Sequence, residues 1–145
     1  MVDGTACPFC EDIHLDKNQF SFKVFEFPNS LVRLPKNQYK RGWTIVALKR
    51  HATELYELAP NELAGFFQEV AMVAKTLKMV FGPVKLNYSI FGNLCPHVHC
   101  HVIPQYMTDD PHAPIKMDEA EVLLTQEEYW SMIDRIKDQR VLSKP

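Results

Sequence analysis

Large apolar and polar side chains alternate along residues 20–27, which is the two-residue period of a half-buried strand. Two further short runs at 31–34 and 43–48 are rich in β-branched, aromatic and other apolar residues. A Pro28-Asn29-Ser30 turn separates the first two runs, and a polar connection over 35–42 separates the second and third. The first third of the chain therefore predicts three strands of an antiparallel meander.

From Pro60 onward the apolar positions follow the period of a helix. Pro60 suits a first helical turn, and Gly82-Pro83 stops the pattern. The apolar stripe is too wide for an isolated surface helix, so we expect the helix to pack this face against a sheet. The sequence thus predicts one long helix whose buried face contains Leu63, Phe66, Phe67, Val70, Ala74, Leu77 and Phe81.

Residues 84–91 and 98–104 predict two more strands in a hairpin-like pair, joined through residues 92–96. Thr125 and Glu128 have the spacing of a capping box, which predicts a second helix to about Lys137. The chain contains no repeat or low-complexity tract. We therefore expect an α+β fold over one domain, residues 1–145, with a C-terminal helical extension at about 125–139.

Composition excludes several classes of protein. Of the 145 residues 46% are hydrophobic and 23% charged, as in an ordinary folded domain. A net charge of −2 leaves no basic excess for a polymeric nucleic acid, although a small phosphorylated ligand remains open. The N-terminus lacks the pattern of a secretory signal, and no apolar run is long enough for a bilayer. We expect a cytoplasmic protein without a membrane partner, whose cysteines are thiols or metal ligands.

Half of the chain's six histidines lie in His97-Val98-His99-Cys100-His101. On a strand, alternate side chains share a face, so the three imidazoles are expected on one face with Val98 and Cys100 behind them. One alternative is a solvated polar face of an edge strand. Chelation of one metal by all three rings is disfavoured, because the outer pair would be about 13 Å apart and zinc binds imidazole nitrogen at about 2 Å.

Three adjacent imidazoles can take different roles in a displacement at phosphorus. One neutral ring can attack as a nucleophile and form a covalent intermediate. Its neighbours can bind charged oxygens or give a proton to the leaving group. His99 lies between the other two and is the expected nucleophile.

The segment His97-Val98-His99-Cys100-His101-Val102-Ile103 resembles the HxHxHxx signature of the histidine-triad (HIT) family. This resemblance implies a HIT-like fold, with a long helix and a C-terminal helix on an antiparallel sheet. It implies a nucleotidyl hydrolase or transferase acting on dinucleoside polyphosphates or nucleoside phosphoramidates. His99 would become nucleotidylated, and His101 would contact the α-phosphate or the leaving-group oxygen. The family also implies a homodimer, with contacts expected from the long helix and an edge strand.

The resemblance extends to further positions. Asn93 and Asn87 are similar to polar family residues on the substrate side, and Phe9 is expected beside the nucleotide base. The chain departs from the family where Trp43 follows Gly42 in place of histidine. It also has Pro35 where a ribose-binding Asp or Asn is usual, and Gln105 where Arg is frequent. These departures leave the nucleophile intact but change nucleoside recognition.

A Cys7-Pro8-Phe9-Cys10 motif could be half of a metal site or a redox pair. It resembles the motif of the zinc-bearing bacterial branch of the family, which implies a structural zinc held by Cys7, Cys10, His51 and His97. No catalytic metal is then required. The alternative is that the two cysteines are free thiols, while Cys95 and Cys100 are expected to be small apolar fillers.

Two other functions remain open. A nucleotide-binding module with little turnover would explain the changed recognition residues. A zinc hydrolase that uses His97 and His99 as ligands would need an open coordination position and a carboxylate base, and no carboxylate adjoins the triad.

Overall fold

A five-stranded antiparallel sheet forms the centre of the protein. The computed structural model describes residues 7–113, 115–116 and 119–142, with backbone alone at 141 and 142. The strands lie within two residues of their predicted bounds. They are β1 (Ser21–Glu26), β2 (Ser30–Pro35), β3 (Thr44–Leu48), β4 (Lys85–Ser89) and β5 (His99–Gln105). The helices are α1 (Pro8–Asp12), α2 (Pro60–Phe81) and α3 (Gln126–Leu142), and a 3₁₀ turn spans Leu55–Glu57.

The strand order is β1-β2-β3-β5-β4, and every neighbouring pair is antiparallel. The first three strands form the predicted meander, and β4 and β5 form the predicted hairpin-like pair. The last strand, β5, inserts between β3 and β4, so that β4 lies at the sheet edge. The histidine-bearing strand therefore has a hydrogen-bonded neighbour on each side.

Helix α2 has the bounds that the sequence predicts. Pro60 occupies its first turn, and Gly82 ends it in the left-handed region at φ +64°, donating its N–H to the carbonyl oxygen of Lys78. The buried stripe of α2, including Phe66 and Leu77, packs in one hydrophobic core with Val46, Cys100 and Val102 of the sheet.

Helix α3 begins at the predicted cap but is longer than predicted. Thr125 Oγ1 accepts a hydrogen bond from the Glu128 N–H at 3.3 Å, and Glu128 Oε2 accepts one from the Thr125 N–H at 2.9 Å. Ile136 is the last α3 residue whose described side chain packs in the core, and the backbone continues to Leu142. The predicted end at about Lys137 is therefore too early, and the sequence has no glycine or proline between there and Leu142 to mark an end.

The two faces of the sheet have different coverings. The face that packs on α2 and α3 is apolar, whereas the other face has His99 and His101 beside Ile45, Ala47 and Asn87. Register fixes this division, since His99 pairs with Ala47 and His101 with Ile45. No helix within the described residues has the length and apolarity needed to cross a membrane.

Candidate active site and metal centre

The three histidines of the motif occupy two different structural settings. His99 and His101 lie on β5 and share one face, as predicted. His97 precedes the strand, so the prediction of three imidazoles on one strand face is wrong for this residue. Its N–H bonds to the carbonyl oxygen of Cys95 at 2.8 Å, and the preceding Pro96 has no N–H for a ladder. This turn directs the His97 ring away from the strand face and toward the N-terminal cysteines.

The ring of His99 has one nitrogen occupied by the backbone. Its Nδ1 lies 2.5 Å from the carbonyl oxygen of His97. A carbonyl oxygen can only accept, so Nδ1 holds the proton and Nε2 holds the lone pair. Burial lowers the pKa of His99, and the side chain is only 6% exposed. At neutral pH the ring is therefore an uncharged imidazole with Nε2 available as a nucleophile.

The ring of His101 is positioned by an indole. The Trp43 Nε1–H donates to His101 Nδ1 at 3.1 Å, and both residues are buried. Burial and, second, the neighbouring His99 lower the pKa of His101 to about 4. The ring centroids of His99 and His101 are 4.9 Å apart. Sequence reasoning treated Trp43 only as a departure from the family, although a buried indole N–H needs an acceptor and so signals a partner.

The predicted substrate-binding residues do not all come together. Phe9 on α1 places its ring centroid 4.9 Å from that of His99 and 5.5 Å from that of His97. Asn87 lies on the histidine face and borders a cavity of about 430 Å³. Asn93 is exposed in the β4–β5 connection and makes no hydrogen bond to His99 or His101 among the described residues. The structure thus brings Phe9 to the triad and leaves Asn93 apart from it.

Cys7, Cys10, His51 and His97 form one cluster, as the sequence analysis expects. Their candidate ligand atoms lie within 4.8 Å of one another. His97 Nδ1 is 3.5 Å from each of the two sulfurs, and His51 Nδ1 is 3.4 Å from Cys10 Sγ. A metal about 2.3 Å from sulfur and about 2.0 Å from nitrogen, with tetrahedral angles, would place these atoms about 3.5 Å apart. The donor set therefore fits a tetrahedral metal ion.

The surroundings of the cluster support the same fit. His97 Nε2 donates to the carbonyl oxygen of Leu48 at 2.7 Å, which leaves the Nδ1 lone pair directed at the sulfurs. Burial and the adjacent Cys7 raise the pKa of Cys10 to about 11, so a cation would be needed to ionise it at neutral pH. Among the described residues, His51 Nε2 is the one buried side-chain nitrogen or oxygen without a hydrogen-bond partner.

The other two cysteines differ from each other. Cys100 is buried in the core behind the histidine face, as expected for an apolar filler. Cys95 is half-buried and contacts Cys7, a contact that the sequence did not predict, and burial raises its pKa to about 11. All four cysteines are unpaired.

Several known proteins resemble this chain in sequence. Residues 16–108 match the family model of the HIT domain. The Protein hit of Bacillus subtilis is 31% identical over 109 residues, which are 72% of this chain and 74% of that protein. A bis(5'-nucleosyl)-tetraphosphatase (asymmetrical) of Schizosaccharomyces pombe is 33% identical over 73 residues, 47% of this chain and 40% of that protein.

Solved structures share the fold. A histidine triad (HIT) protein of Sinorhizobium meliloti matches with a TM-score of 0.75 and 25% identity, over 88% of this chain and 94% of the other. A Zn-bound histidine triad family protein of Mycobacterium smegmatis matches with a TM-score of 0.71 and 21% identity, over 94% of each chain. The family model covers more than half of the sequence, and the site contains the two strand histidines and the Cys-Cys-His-His cluster. The chain therefore belongs to the HIT domain family.

Proposed function

We propose that this protein is a nucleotidyl hydrolase or transferase that cleaves a nucleoside 5'-phosphoryl-X substrate through a covalent intermediate on His99. The observation that carries the proposal is the hydrogen bond from His99 Nδ1 to the His97 carbonyl oxygen, because it leaves Nε2 as a neutral nucleophile. The Schizosaccharomyces pombe relative, a bis(5'-nucleosyl)-tetraphosphatase (asymmetrical), supports the same class of substrate.

The proposed reaction consists of two displacements. His99 Nε2 forms a bond to the α-phosphorus, the bond from phosphorus to X breaks, and X leaves, taking any proton that it needs from solvent water. The ring then has a positive charge, which the His97 carbonyl oxygen stabilises through the Nδ1 proton. Water, or another acceptor, then attacks phosphorus, the phosphorus–Nε2 bond breaks and the nucleotide is released.

The neighbouring residues have proposed roles in the same reaction. His101 would donate a hydrogen bond from Nε2 to a phosphate oxygen or to the leaving-group oxygen. Phe9 would contact the base beside His99, and Asn87 borders a cavity on the same face that would receive part of the substrate. Asn93 would have to approach the phosphate from its exposed connection when substrate binds.

We propose that the metal cluster binds zinc and is structural. Four protein ligands complete a tetrahedral zinc shell, whereas a catalytic zinc keeps a position open for water. His99 lies outside the cluster, so the His97–His99 zinc hydrolase considered from the sequence has no support in the geometry. The four unpaired cysteines also support a reducing compartment such as the cytoplasm.

An activity assay with an AMP phosphoramidate and a diadenosine polyphosphate tests the proposed reaction. We expect turnover with at least one of them, and a loss of roughly 10⁴-fold or more in His99→Ala. Wild-type samples quenched with denaturant at alkaline pH, where a phosphorus–nitrogen bond is stable, should contain a nucleotidylated protein whose modification maps to residue 99. His112→Ala, which removes an exposed histidine, is the matched control and should retain activity. Binding without turnover would instead support a nucleotide-binding module.

Metal analysis tests the zinc proposal separately. We expect one zinc per chain in the wild type, and loss of zinc in Cys10→Ser and in His51→Ala. Cys95→Ser removes the half-buried thiol that contacts Cys7 but is not among the four ligands, and it should retain the metal. Equal zinc content in all four proteins would contradict this ligand set.

A further inference from the structure

We propose that Trp43 is a positioning residue that holds His101 in the tautomer with its proton on Nε2. The ring is thereby fixed as a hydrogen-bond donor toward the histidine face. This inference deepens the proposed function, on which its catalytic meaning rests, but the tautomer itself can be observed without any reaction.

The hydrogen-bonding capacity of the indole carries the argument. Tryptophan Nε1–H can donate and can never accept. Since it lies 3.1 Å from His101 Nδ1, that nitrogen must provide a lone pair, and the proton of the neutral ring is left on Nε2. Moving the proton to Nδ1 would place two donors against each other inside a buried contact, which would cost the hydrogen bond.

The packing around the indole restrains this geometry. Trp43 is 6% exposed and His101 is 8% exposed, so water has little access to replace the bond. The Tyr39 ring packs edge-on against Trp43, with centroids 5.5 Å apart. Phe91 lies near His101, with centroids 6.3 Å apart. The indole therefore has little freedom to turn away from the imidazole.

The other groups around His101 do not compete for its proton. Its neighbour along β5 on the same face is His99, and its partners across the sheet are Ile45 on β3 and Ser89 on β4. Of these residues only His99 titrates, and a second imidazole disfavours a positive charge on His101. Electrostatics and hydrogen bonding thus favour the same neutral ring.

The residue type at position 43 distinguishes this chain from the pattern that its family resemblance implies. A histidine at this position could either donate to or accept from the ring of His101, so both tautomers would be available. Tryptophan removes one of the two choices. The N–H with which His101 can donate a hydrogen bond to a phosphate oxygen or leaving group is therefore in place before substrate binds. The same ring does not readily hold a second proton, so it acts as a hydrogen-bond donor and not as a general acid.

Long-range ¹H–¹⁵N NMR of the histidine side chains tests the tautomer directly. In the wild type at pH 7 we expect His101 Nδ1 to resonate as an unprotonated nitrogen and Nε2 as a protonated one. Trp43→Phe removes the donor and should bring a measurable population with the proton on Nδ1. Trp43→His should restore the hydrogen bond without the restriction to one tautomer. Trp130→Phe, which removes the other indole of the chain on α3, should leave the His101 signals unchanged.

Kinetics separate positioning from a merely structural role. We expect Trp43→Phe to lower kcat roughly tenfold, the loss expected for one hydrogen bond, with KM little changed. Trp43→His should recover most of kcat. A fall in melting temperature with no change in the His101 tautomer would overturn the proposal, as would a wild-type His101 that holds its proton on Nδ1. If the tautomer responds as expected but no variant or wild type cleaves nucleotides, the proposed function fails while the role of Trp43 in fixing the ring stands.

Discussion

Each imidazole of the triad is oriented by a different partner. A carbonyl oxygen of Leu48 holds His97, the carbonyl oxygen of His97 holds His99, and an indole N–H holds His101. The first two contacts fix a proton on one nitrogen and direct the other nitrogen as a lone pair, whereas the third does the reverse. One short segment therefore contains the proposed metal ligand, the proposed nucleophile and a hydrogen-bond donor, distinguished only by the atoms that face them.

The buried setting of His99 predicts the pH dependence of activity. Burial lowers its pKa below the ordinary value of 6.5, and the nucleophile must be neutral. Lowering the pH from 7.5 through 6.5 should therefore leave kcat/KM nearly unchanged, and the loss should come only as the pH falls through the lowered pKa. A pH profile of kcat/KM measures this.

Phe9→Ala tests whether burial is the cause of the lowered pKa of His99. It uncovers His99 to water, which should raise the pKa of the ring and move the acid limb of the profile to higher pH. Phe20→Ala removes an exposed ring outside the site and should leave the limb in place. A wild-type profile whose acid limb has its midpoint at pH 6.5 would show that burial does not lower the pKa of His99.

A buried arginine ties the N-terminal segment to the sheet. Arg33 on β2 is fully buried, and its guanidinium donates to the carbonyl oxygens of Ile13 and Leu15 and to the side chain and backbone of Ser21. Arg33→Leu removes the side-chain donor of the Ile13 and Leu15 carbonyl oxygens, while Ser21 keeps its hydrogen bonds with Asn18, and it should lower the free energy of unfolding by about 3 kcal/mol. Urea unfolding measures the change.

Arg41→Leu is the control for this prediction, because Arg41 is exposed. The free energy of unfolding of Arg41→Leu should lie within about 0.5 kcal/mol of the wild-type value. Equal stability of Arg33→Leu and the wild type would mean that the desolvation of the guanidinium offsets all of its hydrogen bonds.

The spacing of the histidines predicts His99 and His101 on one face, because that depends only on the period of a strand. It does not predict which nitrogen of His97 or His101 is free, since this depends on Leu48 and Trp43, which are distant in sequence. Trp43 showed only that a histidine was replaced. Its hydrogen bond to His101 follows from the pairing of β3 with β5, which a local pattern does not contain.

The short helix α1 lies where Cys7 and Cys10 meet His51 and His97, and we expect a metal ion there to strengthen its attachment beside β5. It has five residues, too few to be stable alone, and Cys10 lies within it while Cys7 precedes it. Phe9 lies between these two ligands and contacts His99. A metal ion at the cluster would therefore hold a substrate-side aromatic ring in position without taking part in the displacement.

Removal of the metal should consequently affect binding more than chemistry. After chelation, or in Cys10→Ser, we expect α1 to detach and KM to rise several-fold, while kcat falls by less than about threefold because His99 and His101 remain on β5. Steady-state kinetics with and without chelator measure this. Cys95→Ser should behave as the wild type, and a kcat that vanishes on chelation would show that the metal acts in the reaction.

The elements themselves were predictable to different degrees. Pro60 and Gly82 mark both ends of α2, because each acts through its own backbone geometry. The end of α3 was missed, since no such residue marks it. The position of β5 between β3 and β4 could not be inferred from the hairpin-like pair alone, because pairing with β3 brings together residues more than fifty positions apart.

The larger of the two hydrophobic clusters within the described residues joins the sheet to both long helices. Side chains from all five strands, α2 and α3 contribute to it, and the α3 residues Tyr129, Met132, Ile133 and Ile136 lie beyond the end of the HIT match at residue 108. This shared core supports the proposal that residues 1–145 are one domain and that the helix at about 125–139 is part of it. A helix packed in this way contributes to the stability of the sheet that presents the histidines.

The edge strand β4 underlies the last prediction, a homodimer. Among the described residues its backbone pairs with β5 alone. Tyr88 on β4 is 51% exposed, and Val84 and Ile90, which flank the strand, are 48% and 38% exposed. Two copies could pair their β4 strands about a two-fold axis and so cover these side chains and the open edge. Sedimentation should show a dimer for the wild type and a monomer for Tyr88→Lys, which places a charge at the proposed centre. Tyr56→Lys, at an 84% exposed position in the 3₁₀ turn, should remain dimeric.

Dimer formation would also affect the active site. The connection that follows β4 contains Phe91, which packs near His101, and the exposed Asn93. Pairing of the edge strands would restrain this connection, so monomeric Tyr88→Lys should have a higher KM than Tyr56→Lys at equal stability. A monomeric wild type at tens of micromolar would contradict the pairing. A monomeric Tyr88→Lys with wild-type KM would instead show that each subunit holds this connection in place by itself.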